Sequence, residues 1–146
     1  MMILYEFNVP DDDMVNIYVL FLRSILEQSC AVWHYSITEE EKSDLERVQK
    51  VACKIILKER YQGYDHALDY LNLKKLSDRR NELCLRFAKK CLKVDKTKDM
   101  FPLNPASDQN SLRHREKYFV HYATTGRLLD TAIPQMQRAL NLDAAK

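Results

Sequence analysis

The chain has 146 residues, a length typical of one domain; 46% of its residues are hydrophobic and 30% are charged. This composition excludes an intrinsically disordered chain, which would have too little apolar surface to form a core. Two glycines and four prolines provide few positions for tight turns. We therefore expect a mainly α fold, a small bundle of four to five helices with at most one short strand pair near the C-terminal third.

The formal net charge of +2 conceals an uneven distribution of charge along the chain. Residues 1–46 contain ten acidic and two basic residues, whereas residues 74–98 contain ten basic and three acidic ones. A basic segment of this kind is compatible with a nucleic-acid partner, although a solvated helix face is its more common cause.

No signal peptide and no CxxC pair accompany the four cysteines. These cysteines are Cys30, Cys53, Cys84 and Cys91. We expect reduced thiols in an intracellular protein, cytoplasmic or nuclear. The apolar run from Met14 to Leu26 is interrupted by Asn16 and Arg23, and it is shorter than the roughly 20 residues of a membrane-spanning helix. No membrane association is expected.

The chain begins with an apolar, partly alternating segment, residues 1–9, which fits a short strand or the end of a longer element. Pro10 and Asp11–Asp13 then predict the start of a helix that runs to about Trp33 or His34, because carboxylates are favourable at the positive end of a helix dipole. A metal-binding role for the three aspartates is the alternative, but consecutive side chains at a helix start diverge. We favour capping and predict no metal site.

Apolar residues lie on nearly every side of this first predicted helix. The residues expected on its packed face are Met14, Tyr18, Phe21, Leu22, Ile25, Val32 and Trp33. Ile17, Val19 and Leu20 point elsewhere. Because contact with two other helices covers only part of a helix, we expect some of these three residues to face water, to form a partner surface and to cause self-association.

The segment from Thr38 to Leu57 carries the clearest helix signal. Thr38 and Glu41 have the spacing of a capping box. Apolar residues then recur at steps of three and four, and basic residues line the opposite side. The packed side is Leu45, Val48, Ala52, Ile55 and Ile56; the basic side is Arg47, Lys50, Lys54 and Lys58.

Two further helices complete the predicted core, residues 1–94. A loop around Gly63 leads into a short helix from Tyr64, and a longer helix runs from about Leu76 to Val94. The longer helix has an apolar face with a basic side next to it. Its apolar face is Leu76, Leu83, Phe87 and Cys91, and its basic side is Arg79, Arg86, Lys90 and Lys93.

The remaining chain is predicted to contain a loop or linker at residues 95–115, followed by a strand and a terminal helix within residues 116–146 that pack on the core. Residues 116–122 alternate and are aromatic and β-branched, which favours a strand. Its candidate partners are Ile3–Phe7 and Arg127–Leu129. Pro134 fits the first turn of the last helix.

Four segments carry the motifs that indicate a family. They are SILEQSCAVW (residues 24–33), LERVQ (45–49), YDHALDYLNLKKLSDRRNELCLRFAKKCL (64–92) and RLLDTAIPQMQRALN (127–141). Together they resemble the region just downstream of the polymerase core in reverse transcriptases of jockey-like non-long-terminal-repeat retrotransposons. The resemblance covers nearly the whole chain, from Leu4 to about Asn141.

The resemblance implies a non-catalytic C-terminal fragment of a retrotransposon reverse transcriptase that helps to hold nucleic acid in the intact polyprotein. The parent protein would be an RNA-directed DNA polymerase, and its upstream polymerase domain would be a missing partner. Reverse transcription needs paired aspartates that hold two metal ions, and the YxDD-type hairpin that supplies them in the family does not occur in this sequence. We therefore expect no enzymatic activity, no catalytic residue and no cofactor.

Six basic residues are the candidate nucleic-acid contacts, RNA or DNA. They are Arg47, Lys50 and Lys54 on one predicted helix and Arg79, Arg86 and Lys90 on another. The alternative function is an independent helical protein-interaction domain that has no nucleic-acid role and binds its partner through the apolar first helix.

Overall fold

A computed structural model describes residues 9–105, 116–121 and 124–145. These residues are mainly α-helical, as the composition predicts, and no strand occurs among them. The helices are α1 (Asp11–Ile17), α2 (Ser24–Glu27), α3 (Cys30–Trp33), α4 (Glu39–Leu57), α5 (Tyr64–Tyr70), α6 (Leu76–Cys91), α7 (Gly126–Leu129) and α8 (Ala132–Ala144). A π-helical segment, Tyr18–Arg23, joins α1 to α2, and 3-10 turns occur at Lys58–Arg60 and Lys98–Met100.

Contacts within the chain divide it into two compact units. The first comprises Met1–Cys30 and Ile37–Arg80, and the second comprises Ala31–Ser36 and Asn81–Lys146. The sequence predicted one core ending at residue 94, but the observed division falls within α6. The reason is that the first residues of α6 bond to Glu46 of the first unit, while Lys89 pairs with Asp143 of the second.

The first helical run, residues 11–27, ends earlier than the sequence predicted. Gln28 has an extended ψ of 127° and Ser29 adopts a left-handed φ of 53°, so the expected continuous helix to Trp33 or His34 is broken and α3 begins separately. Asp11–Asp13 lie within the first turn of α1, where they complement the dipole, but none of them makes a side-chain cap hydrogen bond.

Taken together across the break, the first helical run and α3 have the length and hydropathy of a membrane-spanning helix. Asp11–Trp33 covers 23 residues, and an 18-residue stretch within it has a mean hydropathy of 1.2, with 11% of that stretch buried. This observation rests on length and composition alone, and core helices of soluble proteins and signal sequences meet the same criterion.

The capping box predicted for α4 is confirmed. The Thr38 amide donates to Oε2 of Glu41 at 2.7 Å, and the Glu41 amide donates to Oγ1 of Thr38 at 3.2 Å. Ala52 and Ile56 are buried as expected. Val48, predicted to be packed, is exposed because it lies beside an open groove of the first unit.

The core of the first unit combines an apolar cluster with a buried polar network. The cluster is Met14, Tyr18, Ala52, Cys53, Ile56, Leu57, Ala67 and Leu71. In the network, the Gln49 side chain accepts from the Tyr18 hydroxyl at 2.6 Å and donates to the Tyr64 hydroxyl at 3.0 Å and to the Lys74 carbonyl at 2.9 Å. The Tyr64 hydroxyl donates in turn to Glu46. These bonds satisfy the polar atoms that α4 buries.

The second unit is built on the later turns of α6 and on α8. Its buried side chains include Cys84, Ala88, Cys91, Met136 and Leu140. Phe87, expected on the packed face of α6, is exposed instead. Cys84, Ala88 and Cys91 are the small residues of α6 that are buried. Phe87 lies beside them on the helix, and its ring is at the edge of this packed face.

Residues 116–121, the described part of the strand predicted at residues 116–122, form a single antiparallel bridge between Leu103 and Tyr118. Of its candidate partners, Arg127–Leu129 lies in α7, and Ile3–Phe7 lies outside the described residues. Side chains of α8 form hydrogen bonds with backbone groups of this segment. Asn141 bonds both the N–H and the C=O of Tyr118, at 2.8 and 2.9 Å, and Gln137 accepts from the His121 amide at 3.1 Å.

Candidate nucleic-acid interface

Three of the predicted contact residues lie together on α4. Arg47, Lys50 and Lys54 fall within a sector of about 60° when counted at 100° per residue, and they span about 10 Å along the helix axis. Arg47 and Lys54 are exposed, and Lys50 is half-buried. We call these three residues the basic stripe.

Two tyrosine rings orient the lysines of the basic stripe. Nζ of Lys50 lies 5.1 Å from the centroid of the Tyr64 ring, and Nζ of Lys54 lies 5.5 Å from that of Tyr61. Such cation–π contacts contribute about 0.5–1 kcal/mol at exposed sites. They leave each ammonium with its full charge, so the lysines are positioned without being neutralised.

The carboxylate nearest to the basic stripe in sequence is engaged elsewhere. Glu46 accepts from the Tyr64 hydroxyl and from the amides of Leu76 and Ser77, at 3.2 and 3.3 Å. It therefore satisfies amides at the start of α6, where a negative charge is favourable. No ion pair joins Arg47, Lys50 or Lys54 to any residue in the described part of the chain.

Arg79, a predicted phosphate contact, already has a carboxylate partner. Its Nε and one terminal nitrogen donate to the two oxygens of Glu27 at 2.7 and 3.1 Å. The side chains are only 27% and 11% exposed. This bidentate geometry is the strong form of the arginine–carboxylate pair. Arg79 thus attaches α6 to the first helical run, so its guanidinium is less available to a phosphate than the side chains of the basic stripe.

Arg86 and Lys90 form a separate pair of candidates in the second unit. They lie one turn apart on α6, about 6 Å along the axis, and both are exposed. Neither has an ion-pair partner among the residues that the structure describes. Lys89 differs, because its Nζ pairs with Asp143 at 2.6 Å.

The three candidates for a partner surface differ in exposure. Leu20 is 67% exposed, which agrees with the expectation that some of the three face water, whereas Ile17 is half-buried and Val19 packs against the core cluster. Phe21 and Ile25, which the sequence placed on the packed face, are 65% and 67% exposed. The π-helical segment explains this error, because an i to i+5 bonding pattern shifts the angular position of every later residue. We call Leu20, Phe21 and Ile25 the outer apolar face.

The cysteines do not form a reactive site. All four are free and buried, and burial raises the pKa of Cys53 to about 11. The thiolate is the nucleophilic form, so burial disfavours the reactive form of this thiol near neutral pH. Among the described residues, no group of three or more His, Cys, Asp or Glu side chains is arranged to hold a metal ion.

Sequence reasoning missed the aromatic partners of the basic stripe. Tyr61 and Tyr64 follow α4 across a short loop, and no periodicity relates them to Lys50 and Lys54. The sequence feature that could have indicated these contacts is the occurrence of two tyrosines close to Gly63 in the loop after α4. Comparisons with protein-family models, curated proteins and solved structures find no match for this chain.

Proposed function

We propose that this chain binds the phosphate backbone of nucleic acid through the basic stripe of α4, as the non-catalytic C-terminal region of a jockey-like retrotransposon reverse transcriptase. The retrotransposon assignment rests on the sequence resemblance. The binding mode rests on the side chains of α4.

One observation supports the proposal most strongly. Three cations lie on one side of a single helix, two of them are held by tyrosine rings, and none is paired with a carboxylate among the described residues. Lysine and arginine side chains in this state can replace counterions condensed on a phosphate backbone, which is the main source of sequence-independent affinity. Arg86 and Lys90 supply two further cations in the second unit, and neither has an ion-pair partner within the described ranges.

The test is the salt dependence of binding to a DNA duplex. Replacing Arg47, Lys50 and Lys54 by Gln removes three phosphate contacts, so the slope of log Kobs against log salt should become shallower by about 2.7. The matched control replaces two exposed lysines and one exposed arginine outside the stripe, Lys96, Lys117 and Arg127. It carries the same change in net charge and should keep the original slope.

Equal slopes for the stripe variant and the control would contradict the proposal and leave general electrostatic attraction as the cause of any binding. The alternative function, a helical protein-interaction domain, would then be preferred. That alternative is favoured by one observation, the exposure of Leu20, Phe21 and Ile25 on a single helical run. In the proposed parent protein, the upstream polymerase domain is the expected cover for this face.

A further inference from the structure

One phenylalanine of the second unit combines an exposed ring with neighbouring cations. Phe87 on α6 is 45% exposed, although Cys84 and Cys91, one turn before and after it, are buried. Arg86 precedes Phe87 in the sequence and Lys90 follows one turn later, and both are exposed. We call Arg86, Phe87 and Lys90 the α6 platform.

The charge around the α6 platform is positive. Counted at 100° per residue, Lys90 lies about 60° and Arg86 about 100° from Phe87, in the same direction around the helix. The two carboxylates of α6, Asp78 and Glu82, lie about 180° and about 140° away from Phe87. Neither cation of the platform has an ion-pair partner within the described ranges, so both charges are available to an anion.

The ring of Phe87 differs from the tyrosine rings beside the basic stripe. Lysines lie over the rings of Tyr61 and Tyr64, whereas no cation lies over the ring of Phe87 among the residues that the structure describes. An open aromatic ring can stack on any nucleobase, because every base has an aromatic face. In a duplex these faces are covered by the neighbouring base pairs, so stacking on Phe87 needs an unpaired base.

We propose that the α6 platform binds an unpaired base of single-stranded nucleic acid. The base stacks on Phe87, and Arg86 and Lys90 bind the phosphates next to it. The two cations are about 6 Å apart along the helix axis, a separation that adjacent phosphates of an extended strand can match. Aromatic stacking beside a positively charged track is a common way to hold single strands without reading their sequence.

The inference goes beyond the proposed function. The basic stripe of α4 binds phosphates of any nucleic acid, whereas the α6 platform discriminates single strands from duplexes. It shares with the proposed function only the class of ligand, because it belongs to the other unit and uses none of the residues of the basic stripe. Either one can therefore fail without the other.

An anionic membrane is the other class of partner that attracts basic helices. A helix on a membrane surface inserts a broad apolar face into the lipid. The apolar face of α6 is not available for this, because Cys84, Ala88 and Cys91 are buried within the unit. Beyond the end of α6, Val94 is 50% exposed. One ring and one valine fit a stacked base better than a lipid bilayer.

The test compares three fluorescein-labelled probes of about 12 nucleotides. They are a single strand of mixed sequence, the duplex of the same sequence, and an abasic single strand in which tetrahydrofuran replaces every base. Phe87→Ala should weaken binding of the mixed-sequence single strand roughly tenfold in fluorescence anisotropy, and it should leave the duplex and the abasic strand unaffected. Phe87→Leu keeps the apolar bulk but not the ring, and it should give the same selective loss.

Phe21→Leu is the matched control. Phe21 is 65% exposed, but Arg23, the cation nearest to it in sequence, pairs with Glu27, so this variant should bind all three probes like the wild type. Replacing Arg86 and Lys90 by Gln should weaken binding of both single strands and make the salt slope for the mixed-sequence strand shallower by about 1.4. The variant of the basic stripe should weaken binding of all three probes, which separates the proposed function from this inference. Circular dichroism confirms that each variant is folded.

Three results would overturn the proposal. One is a wild-type affinity for the mixed-sequence single strand that is no greater than that for the abasic strand. Another is a Phe87→Leu variant that loses the same factor on every probe, since the ring would then have a structural role, or that loses nothing. The third is binding to phosphatidylserine vesicles that is lost in both Phe87 variants while their affinity for the single strand is unchanged, because the partner would then be a membrane.

Discussion

The hydroxyl of Tyr18 donates a 2.6 Å hydrogen bond to Oε1 of Gln49 in the core of the first unit, and both side chains are fully buried. Burial raises the pKa of Tyr18 above its ordinary value, so the hydroxyl remains a neutral donor throughout the accessible pH range. The bond joins the π-helical segment to α4. Because Gln49 also bonds Tyr64 and the Lys74 carbonyl, one amide connects three parts of the unit.

The first prediction concerns this bond. Tyr18→Phe keeps the ring in the core but leaves Oε1 of Gln49 without its donor, so the free energy of unfolding should fall by about 1–3 kcal/mol. Urea denaturation measures the loss. Tyr70→Phe is the matched control, because Tyr70 is exposed and its hydroxyl only accepts from Arg60 at 3.2 Å. A Tyr18 variant no less stable than the Tyr70 control would show that the network does not stabilise the unit.

The second prediction separates the structural role of Arg79 from phosphate binding. Arg79→Gln leaves Glu27 in a mostly buried position, where its remaining ion-pair partner among the described residues is Arg23, whose Nε is 3.7 Å away. The free energy of unfolding should therefore decrease by about 1–3 kcal/mol. The salt slope for duplex DNA should stay that of the wild type. A shallower slope at unchanged stability would show instead that Arg79 contacts phosphate.

The third prediction is a pH dependence from the start of α4. The Thr38 backbone N–H, and then the Thr38 side chain, lower the pKa of Glu41 below its ordinary value of 4.5. The stabilisation from a depressed carboxylate pKa is fully present above the unfolded-state pKa and is lost as the pH falls through the folded-state pKa. Glu41→Gln removes the ionisable group and keeps the shape of the capping box.

The stability difference between wild type and Glu41→Gln should accordingly be largest at neutral pH and should decline below pH 4.5. Urea denaturation at a series of pH values checks this. Glu40→Gln is the control, since Glu40 lies in the same first turn but takes no part in the capping box. A difference that stays constant down to acidic pH would exclude the proposed role of the Thr38 contact.

Helical periodicity predicted which segments form helices but was less successful in predicting what they bury. The capping box at Thr38 and the buried Ala52 and Ile56 of α4 follow from local sequence. Val48 was misplaced because a 100° count shows which residues share a side, not where the neighbouring helix ends. That boundary depends on Leu22, which is distant in sequence.

The functional residues were predicted well where local spacing places them and poorly where their partners are distant in sequence. Arg47 and Lys54 are exposed cations whose side of the helix follows from spacing alone. The role of Arg79 depends on Glu27, 52 residues away, and no local pattern indicates such a partner. Gln49 looks like an ordinary polar residue in the sequence, and its burial becomes clear only when Tyr18 and Tyr64 are brought to it by the fold.

The last prediction concerns the outer apolar face. Leu20, Phe21 and Ile25 each expose about two-thirds of their side chains, and adjacent exposed residues of this size form a patch that favours association. We expect the wild-type chain to self-associate as its concentration rises in sedimentation velocity runs. Replacing Leu20 and Phe21 by Ser should shift it towards monomer, whereas replacing Val48 and Val51 by Asn, on the exposed side of α4, should leave the association like that of the wild type. A wild-type chain that stays monomeric at high concentration would show that this face has too little apolar area to hold two copies together, and that an upstream domain is not needed to keep the chain soluble.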